Sequence, residues 1–463
     1  MPSTTAAVGG LGTQKSSSAR PKVGATSTKA TEGKRVPVRW SLLVAVAAAL
    51  AARRALISPK LALDDAEIDP AAAKHVRPSC IPADVPKQVH AQCADKAKIF
   101  PLVVSPAGSS PMALDAWIAE NHAIVSGWLL EYGALVFRGF ATAEASDFEL
   151  AVRAFSSRLD NVYKGTSPRR PVNGSSYVFT ASEFEPWKPV PVHCEMSFLP
   201  SPPEHIFFFG VEIRGDMSGG ETPLVDMQAV AREMAPEVRD TFATKGIRYS
   251  RVYPAASSRH PLDKYDFFRT KPYEELMAHV ATGDNSSRIE AEARRQGFEP
   301  SWVETSLGDA LGGAALRLTN EADAFRPHPT TGATIWHNHF AVLHSRAWAD
   351  ELAYVAARLS SARYALLSDL FYLYDGAIRL LLGADALGQH ATHRGGEPIA
   401  PEHAWHIRRL LWRNMFIAPW KQGDVVFIDN FRIGHARMPY DRDPRKVWTI
   451  WSHPPEKAGA DAE

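Results

Sequence analysis

Apolar positions recur along this chain in two distinct rhythms. Over residues 112–132, Leu114, Trp117 and Ile118, then Val125, Trp128 and Leu129, follow at three- and four-residue steps, which gathers them on one face of a helix. That pattern passes into the unbroken apolar run ALVF (134–137), a buried-strand signature closed by a Gly-Phe turn. Further strand candidates lie at 176–179, 205–213 (HIFFFGVEI), 314–318, 332–336, 416–418, 424–428 and 447–451. Many short strands separated by Gly and Pro turns predict a sandwich or barrel rather than a doubly wound sheet. Helical spacing is concentrated at 227–242, 284–296 and above all 344–387, which contains YALLSDLFYLYDGAIRLLLG. This last block reads as an insertion packed outside the sheet, with a lid or dimer helix as the alternative. The fold class expected is mainly β with helices (α+β).

The N-terminal region follows neither rhythm. Residues 1–63 carry ten Lys or Arg and a single acid, Glu32, and the first 35 are rich in Ser, Thr, Ala and Gly, too poor in apolar surface to fold. Basic, acid-poor sequence of this kind suits organellar targeting to a plastid or mitochondrion, or entry into the secretory pathway. It runs into WSLLVAVAAALAA (40–52), flanked by Arg39 and by Arg53-Arg54. Thirteen residues rise only about 20 Å as a helix against a hydrocarbon core of about 30 Å. A signal-type segment is therefore expected, or a membrane anchor that thins the bilayer. From 64 to 99 the sequence is Pro-rich and reads as a linker or surface wrap. The catalytic-size domain is expected over 100–455.

Composition narrows the function. The chain has 463 residues, 45% of them hydrophobic, enough for a substantial core. Its net charge of +1 offers no basic surface for nucleic acid, so small-molecule chemistry is favoured. Three cysteines, Cys80, Cys93 and Cys194, make neither a disulfide framework nor a Cys-based zinc pattern. Cys80 and Cys93 can pair or remain as thiols.

The segment PVPVHCEMSFL (189–199) places His193 and Glu195 two residues apart in extended sequence, so on a strand both project from one face. Cys194 should then point away. A third ligand from elsewhere would complete a two-histidine, one-carboxylate triad, whose open coordination positions suit a non-haem iron(II) oxygenase. A second candidate region is KQGDVVFIDNFRIGHARMPYDRDPRKVWTIW (421–451). There a Gly turn starts a buried strand, Asp429-Asn430 makes a polar turn, and His435 ends a short extended piece. About ten residues on, Arg445-Lys446 opens another strand. A strand-borne cation suits the remote carboxylate of 2-oxoglutarate, which needs a charged hydrogen-bond partner. Strand neighbours face opposite sides, so only one of the two can point inward. Counting from the strand start favours Lys446 and residue type favours Arg445.

Taken together the motifs resemble the taurine dioxygenase and clavaminate synthase-like family of 2-oxoglutarate oxygenases. The resemblance is carried, in order, by GALVFRGF (133–140), SPRRPV with VFTASEF (167–172 and 178–184), VHCEMSFLPSPPEHIFFF (192–209), GGETPLVD (219–226), HPTTGATIWHN (328–338) and KQGDVVFIDNFRIGHAR (421–437), within about residues 100 to 453. It implies a double-stranded β-helix, or jelly roll, with flanking helices. It implies Fe(II), 2-oxoglutarate and O₂, with His193, Glu195 and His435 as metal ligands, Thr222 helping to hold 2-oxoglutarate, and Arg445 or Lys446 anchoring its far carboxylate. In related halogenases a small residue replaces the carboxylate, so Glu195 points to hydroxylation or desaturation of a small molecule, amino-acid-like by analogy, with succinate as co-product. Readings of another class are an inactive barrel serving as a binding or scaffold module, and a zinc hydrolase.

Several residues carry competing readings. His337 and His339 could be strand-spaced ligands, although no matched carboxylate lies near them in sequence. Arg169 and Arg170 could contact an acidic substrate or brace the loop before the metal strand. Trp336 and Phe184 are pocket-wall or core aromatics, and Arg437 could support the site or meet substrate.

Overall fold

A computed structural model of the chain describes residues 67–74 and 79–453, apart from 166, 168, 214–218, 258–271, 278–279, 281–285, 304–314, 382, 385–386, 419 and 442–444, together with positions 48, 50, 51 and 53. The chain divides into two units, Met1–Ala52 and Arg53–Glu463. Of the first, Ala48, Leu50 and Ala51 are described, and they are helical. The targeting segment 1–63 and the apolar run 40–52 otherwise lie outside the described residues. Among the described residues, no helix is long and apolar enough to cross a membrane.

Two sheets organise the second unit. The larger has seven strands in the order β1 (Val89–Cys93), β2 (Leu102–Pro106), β3 (Ala134–Phe137), β15 (Val425–Asp429), β6 (His205–Ile213), β17 (Arg445–Ser452) and β4 (Phe179–Thr180). All its neighbours are antiparallel except β2 and β3. The smaller runs β14 (Met415–Phe416), β7 (Leu224–Asp226), β16 (Ile433–Arg437) and β5 (Val190–His193). The unbroken apolar runs of the larger sheet follow from burial on both faces. Leu135, Phe137, Phe207, Phe209 and Phe427 pack on one side beneath Trp117, Trp128 and Phe148 of the N-terminal helices. Their strand neighbours Val136, Ile206, Phe208, Val426 and Ile428 meet Leu224 and Ile433 of the smaller sheet on the other. The two sheets therefore face each other across an apolar layer.

A third sheet, β13 (Gln389–Thr392), β8 (Ile247–Tyr253), β10 (Ala315–Ala322) and β9 (Glu299–Val303), and a ribbon of β11 (Arg326–Pro327) and β12 (Thr334–Ile335) complete the strands among the described residues. The helical block of 344–387 is a hairpin, Ala347–Leu359 and Ala362–Leu381, turning at Ser360 (φ 49°). It packs through Leu352, Val355 and Tyr364 on Met438, just beyond β16, and leaves Leu366, Leu370, Leu380 and Leu381 exposed.

The fold reaches further towards the N-terminus than Phe100. Strand β1 is the edge of the larger sheet, and its alternation of buried Val89, Ala91 and Cys93 with exposed His90 and Gln92 is too short and polar to stand out in a Pro-rich stretch. Cys80 and Cys93 are joined in a disulfide, Cα–Cα 5.0 Å, which ties the preceding loop to that edge. Reducing it is expected to cost about 3 kcal/mol for a loop of this length. A fall in Tm with reductant, absent from the Cys80→Ser/Cys93→Ser variant, checks this.

Candidate metal centre

Strands β5 and β16 lie antiparallel with His435 directly opposite His193. Cross-strand partners on one face stand close enough for their side chains to meet, and the two imidazoles are 4.4 Å apart between centroids. Glu195 reaches the same spot by a different route from strand alternation. The strand ends at His193, and the chain turns through Met196 in the left-handed region (φ 50°). Asn430 holds that turn. Its Oδ1 accepts from the Glu195 amide at 2.6 Å, while its Nδ2 donates to the carbonyls of Glu195 at 3.0 Å and Pro203 at 2.8 Å. The Glu195 carboxylate Oε2 then lies 3.5 Å from His435 Nε2 and 3.9 Å from His193 Nε2. Among the described residues, this is the only group of three or more His, Cys, Asp or Glu whose ligand atoms all fall within 4.8 Å.

The electrostatics prepare these groups to ligate. The Pro191 carbonyl accepts from His193 Nδ1 at 2.9 Å, which leaves the Nε2 lone pair facing Glu195. Burial, aided by His435 alongside, pushes His193 down to about 3, so the ring is neutral. For Glu195 burial opposes ionisation, but the Arg169 guanidinium and the hydrogen bond with His435 outweigh it and keep the carboxyl far below its usual range. Cys194 packs in the apolar core and burial drives its thiol well up, so it offers no thiolate.

The cluster opens on a cavity between the two sheets, lined by Val190, Ala436, Phe208, Val447 and the loops carrying Tyr163 and Phe184. Across it stand Thr222 and Arg445. Arg445 Nε donates to the Gly220 carbonyl at 2.6 Å, and its Nη2 lies 3.4 Å from Thr222 Oγ1. Trp420 Nε1 donates to the same hydroxyl at 2.8 Å, leaving the hydroxyl proton available to another acceptor. Burial, with Arg437 nearby, pulls Arg445 down to about 10, still cationic at neutral pH. Of the two basic neighbours, Arg445 and not Lys446 lines the cavity. Arg445 and Val447 share the inward face of β17, while Lys446 is exposed with its ammonium 5.2 Å from the Trp448 ring.

Arg437 is a clamp. Its Nη1 donates to the carbonyls of Ser182 and Phe184, and its Nη2 to those of Glu185 and Lys188, at 2.7–3.1 Å. Arg437→Met is expected to cost about 3 kcal/mol, since it strands buried acceptors, and to expose 182–188 to limited proteolysis. Phe184 does line the cavity, whereas Trp336 is core, edge-on to Phe242. His337 stacks on Phe431, away from the cluster. His339 borders the cavity with its ring 5.0 Å from His193 and its Nδ1 3.2 Å from Ser197 Oγ. Arg170 pairs at the surface with Glu183, while Arg169 Nη2 donates to Glu195 Oε2 at 2.8 Å. Asn430 and Trp420 were not singled out by sequence, where a polar turn and a lone Trp carry no functional signal.

Two facing sheets enclosing a buried cluster of two histidines and one carboxylate, with a cation and a hydroxyl across the cavity, define a metal-dependent enzyme. Comparison with known proteins gives the family: the taurine catabolism dioxygenase TauD, TfdA family matches residues 98–451, and the chain belongs to it. It is 26% identical over 335 residues to the dapdiamide synthesis protein DdaC of Enterobacter agglomerans, covering 72% of this chain and 86% of the relative. It is 26% identical over 374 residues to a clavaminate synthase-like protein of Arabidopsis thaliana, covering 78% and 95%. Among solved structures, PvcB from Pseudomonas aeruginosa is similar at 15% identity and a TM-score of 0.43, covering 82% of this chain and 95% of that one. The protein is an oxidoreductase of the Fe(II)/2-oxoglutarate-dependent class, using O₂ and acting on a small molecule.

Proposed function

We propose that His193, Glu195 and His435 hold the iron, that Arg445 and Thr222 receive the distal carboxylate of 2-oxoglutarate, and that the facing sheets are the two halves of a jelly roll. The observation that carries this is one carboxylate oxygen, Glu195 Oε2, within 3.9 Å of two imidazole nitrogens in a buried site. Two neutral nitrogens and one carboxylate suit a divalent ion of intermediate hardness, and three protein donors leave positions open for co-substrate and O₂. Bound iron supplies oxygen activation coupled to decarboxylation of 2-oxoglutarate to succinate. The chain's own contribution is orientation and dryness. Asn430 fixes the backbone turn that carries Glu195, Arg169 holds its carboxylate, Pro191 fixes the imidazole tautomer, Arg437 holds the 182–188 wall, and Phe184 and Phe208 keep the cavity apolar.

The outcome for substrate is hydroxylation or desaturation, because Glu195 fills the position that a halide would need. The basic segment 1–63 with its apolar run directs the chain to an organelle or into the secretory pathway, and the Cys80–Cys93 pair supports a compartment that preserves disulfides. Full-length protein with iron(II), ascorbate and 2-oxoglutarate is expected to release succinate only when O₂ is present. No succinate under any condition, with no binding of 2-oxoglutarate, would sink this reading, and turnover without O₂ would replace it with hydrolysis.

A further inference from the structure

The second helix of the hairpin, Ala362–Leu381, is packed with its polar side inward. Its buried side chains are Tyr364, Ser368, Asp369 and Asp375, whereas Leu366, Leu370, Leu380 and Leu381 are 51–85% exposed and Tyr374 is 36% exposed. Leu366, Leu370, Tyr374, Ala377 and Leu381 follow at three- and four-residue steps, so the outward side chains form one stripe about 22 Å long. An ordinary surface helix shows the reverse arrangement. The inner side is locked in place. Ser368 Oγ donates to the Ala349 carbonyl at 2.6 Å, Asp369 Oδ1 accepts from Arg53 Nη1 at 2.9 Å, and Asp375 Oδ2 accepts from Arg346 Nε at 2.9 Å and Arg379 Nε at 2.8 Å. These bonds fix the leucines outward. Of the nine large hydrophobic side chains exposed among the described residues, six belong to this hairpin. Apolar surface concentrated in this way marks a contact face.

Two features select the occupant. The first is charge. The helix has two acids, Asp369 and Asp375, both buried in ion pairs, while Arg363 is exposed, so its outer side offers leucines and a cation but no anion. That combination suits the boundary between anionic headgroups and acyl chains. The second is chain connectivity. Arg53 directly follows the apolar run 40–52, which is too short to span a bilayer and is preceded by seven Lys or Arg against one acid over residues 1–39. Arg53 is held on this same helix by Asp369, by Ser368 Oγ at 2.8 Å from its Nη2, and by the Tyr372 ring at 4.7 Å. Asp369 is three residues from Leu366 and adjoins Leu370, so the residue that ends the apolar run is anchored within one helical turn of the stripe. A lipid surface accounts for both the stripe and a basic, apolar segment. A second copy of the helix accounts for the stripe alone.

We propose that this face of the hairpin is a membrane-binding surface, with the stripe from Leu366 to Leu381 seated at the headgroup boundary of an anionic bilayer. The protein is then a peripheral membrane protein whose folded part lies on the lipid, and the stripe adds a second apolar attachment to a run that is weak by itself. None of the stripe residues lines the metal cavity, so attachment and chemistry can be tested apart.

Full-length protein is expected to float with vesicles of mixed phosphatidylcholine and phosphatidylglycerol, and far less with phosphatidylcholine alone. Leu370→Glu/Leu380→Glu is expected to keep the wild-type Tm, since both side chains are exposed, and to lower the vesicle partition coefficient by about 100-fold, the loss of two leucines from the acyl boundary. A second measurement reads the surface directly. An environment-sensitive dye on Leu380→Cys is selective, because Cys194 is buried and Cys80 and Cys93 are paired. It is expected to report water in vesicle-free protein and an apolar setting once vesicles are added. No flotation of the wild type, equal flotation with neutral vesicles, or unchanged partition of the Glu variant overturns the proposal. So does a dye already in an apolar setting without vesicles: in a monomer, residues of the same chain cover the stripe, and in a dimer that the Glu substitutions dissociate, a second copy does.

Discussion

Protein carrying His193→Ala is expected to fold, to bind far less than one iron per chain, and to lose at least about three orders of magnitude in succinate formation, the scale of removing a member of a catalytic unit. The reason is geometric. His193 and His435 are cross-strand partners, and Glu195 completes the cluster from a turn pinned by Asn430. Deleting one imidazole leaves one nitrogen and one carboxylate, which compete poorly with water for iron(II). The informative control is His339→Ala. That ring borders the same cavity only 5.0 Å from His193, yet its Nδ1 faces Ser197 and it stands outside the cluster. It is expected to retain stoichiometric iron. Metal analysis of both variants, with near-ultraviolet circular dichroism to establish folding, decides the matter. Full iron in His193→Ala would mean that the ligands are misassigned.

How much of this was readable beforehand depended on whether a residue's role is local. HIFFFGVEI is legible as a strand buried on both faces because every position from Ile206 to Gly210 is apolar or small, and β6 spans the whole motif from His205 to Ile213. The closeness of His193 and Glu195 was legible from their spacing, although the carboxylate arrives by a turn after the strand and not by alternation. Less local features stayed hidden. Strand β8 alternates faithfully, but Arg251 occupies a buried position in it, its guanidinium 4.1 Å from the Phe198 ring, so the apolar rhythm breaks. The helical block at 227–242 is two helices, because Ala235-Pro236 breaks the hydrogen-bond ladder and Pro236 starts the second. Asn430 closes the Glu195 turn across 235 residues of sequence, a partnership that no local pattern encodes. The acid-poor N-terminal segment is the reverse case, conspicuous in composition and silent on geometry.

Arg445→Leu is expected to weaken 2-oxoglutarate binding by about 100- to 1000-fold, the loss of a charge-assisted contact in a buried site together with its counter-charge, while Lys446→Leu is expected to stay near wild type. Two adjacent basic residues could not both face inward, and β17 settles which does. Arg445 shares its face with Val447, against Thr222 and Gly220, whereas Lys446 turns outward over Trp448. Arg445→Lys separates charge from shape. A lysine keeps the cation but cannot reach the Gly220 carbonyl and a carboxylate with separate nitrogens, so an intermediate loss is expected. Iron content should be unchanged in all three variants, since none touches the triad. Because Trp420 donates to the Thr222 hydroxyl and frees its proton, Thr222→Val should lower 2-oxoglutarate affinity in the same direction by a smaller factor. An equal fall in Arg445→Leu and Lys446→Leu would indicate a general effect of charge rather than an anchoring contact, and would move the co-substrate carboxylate elsewhere in the cavity.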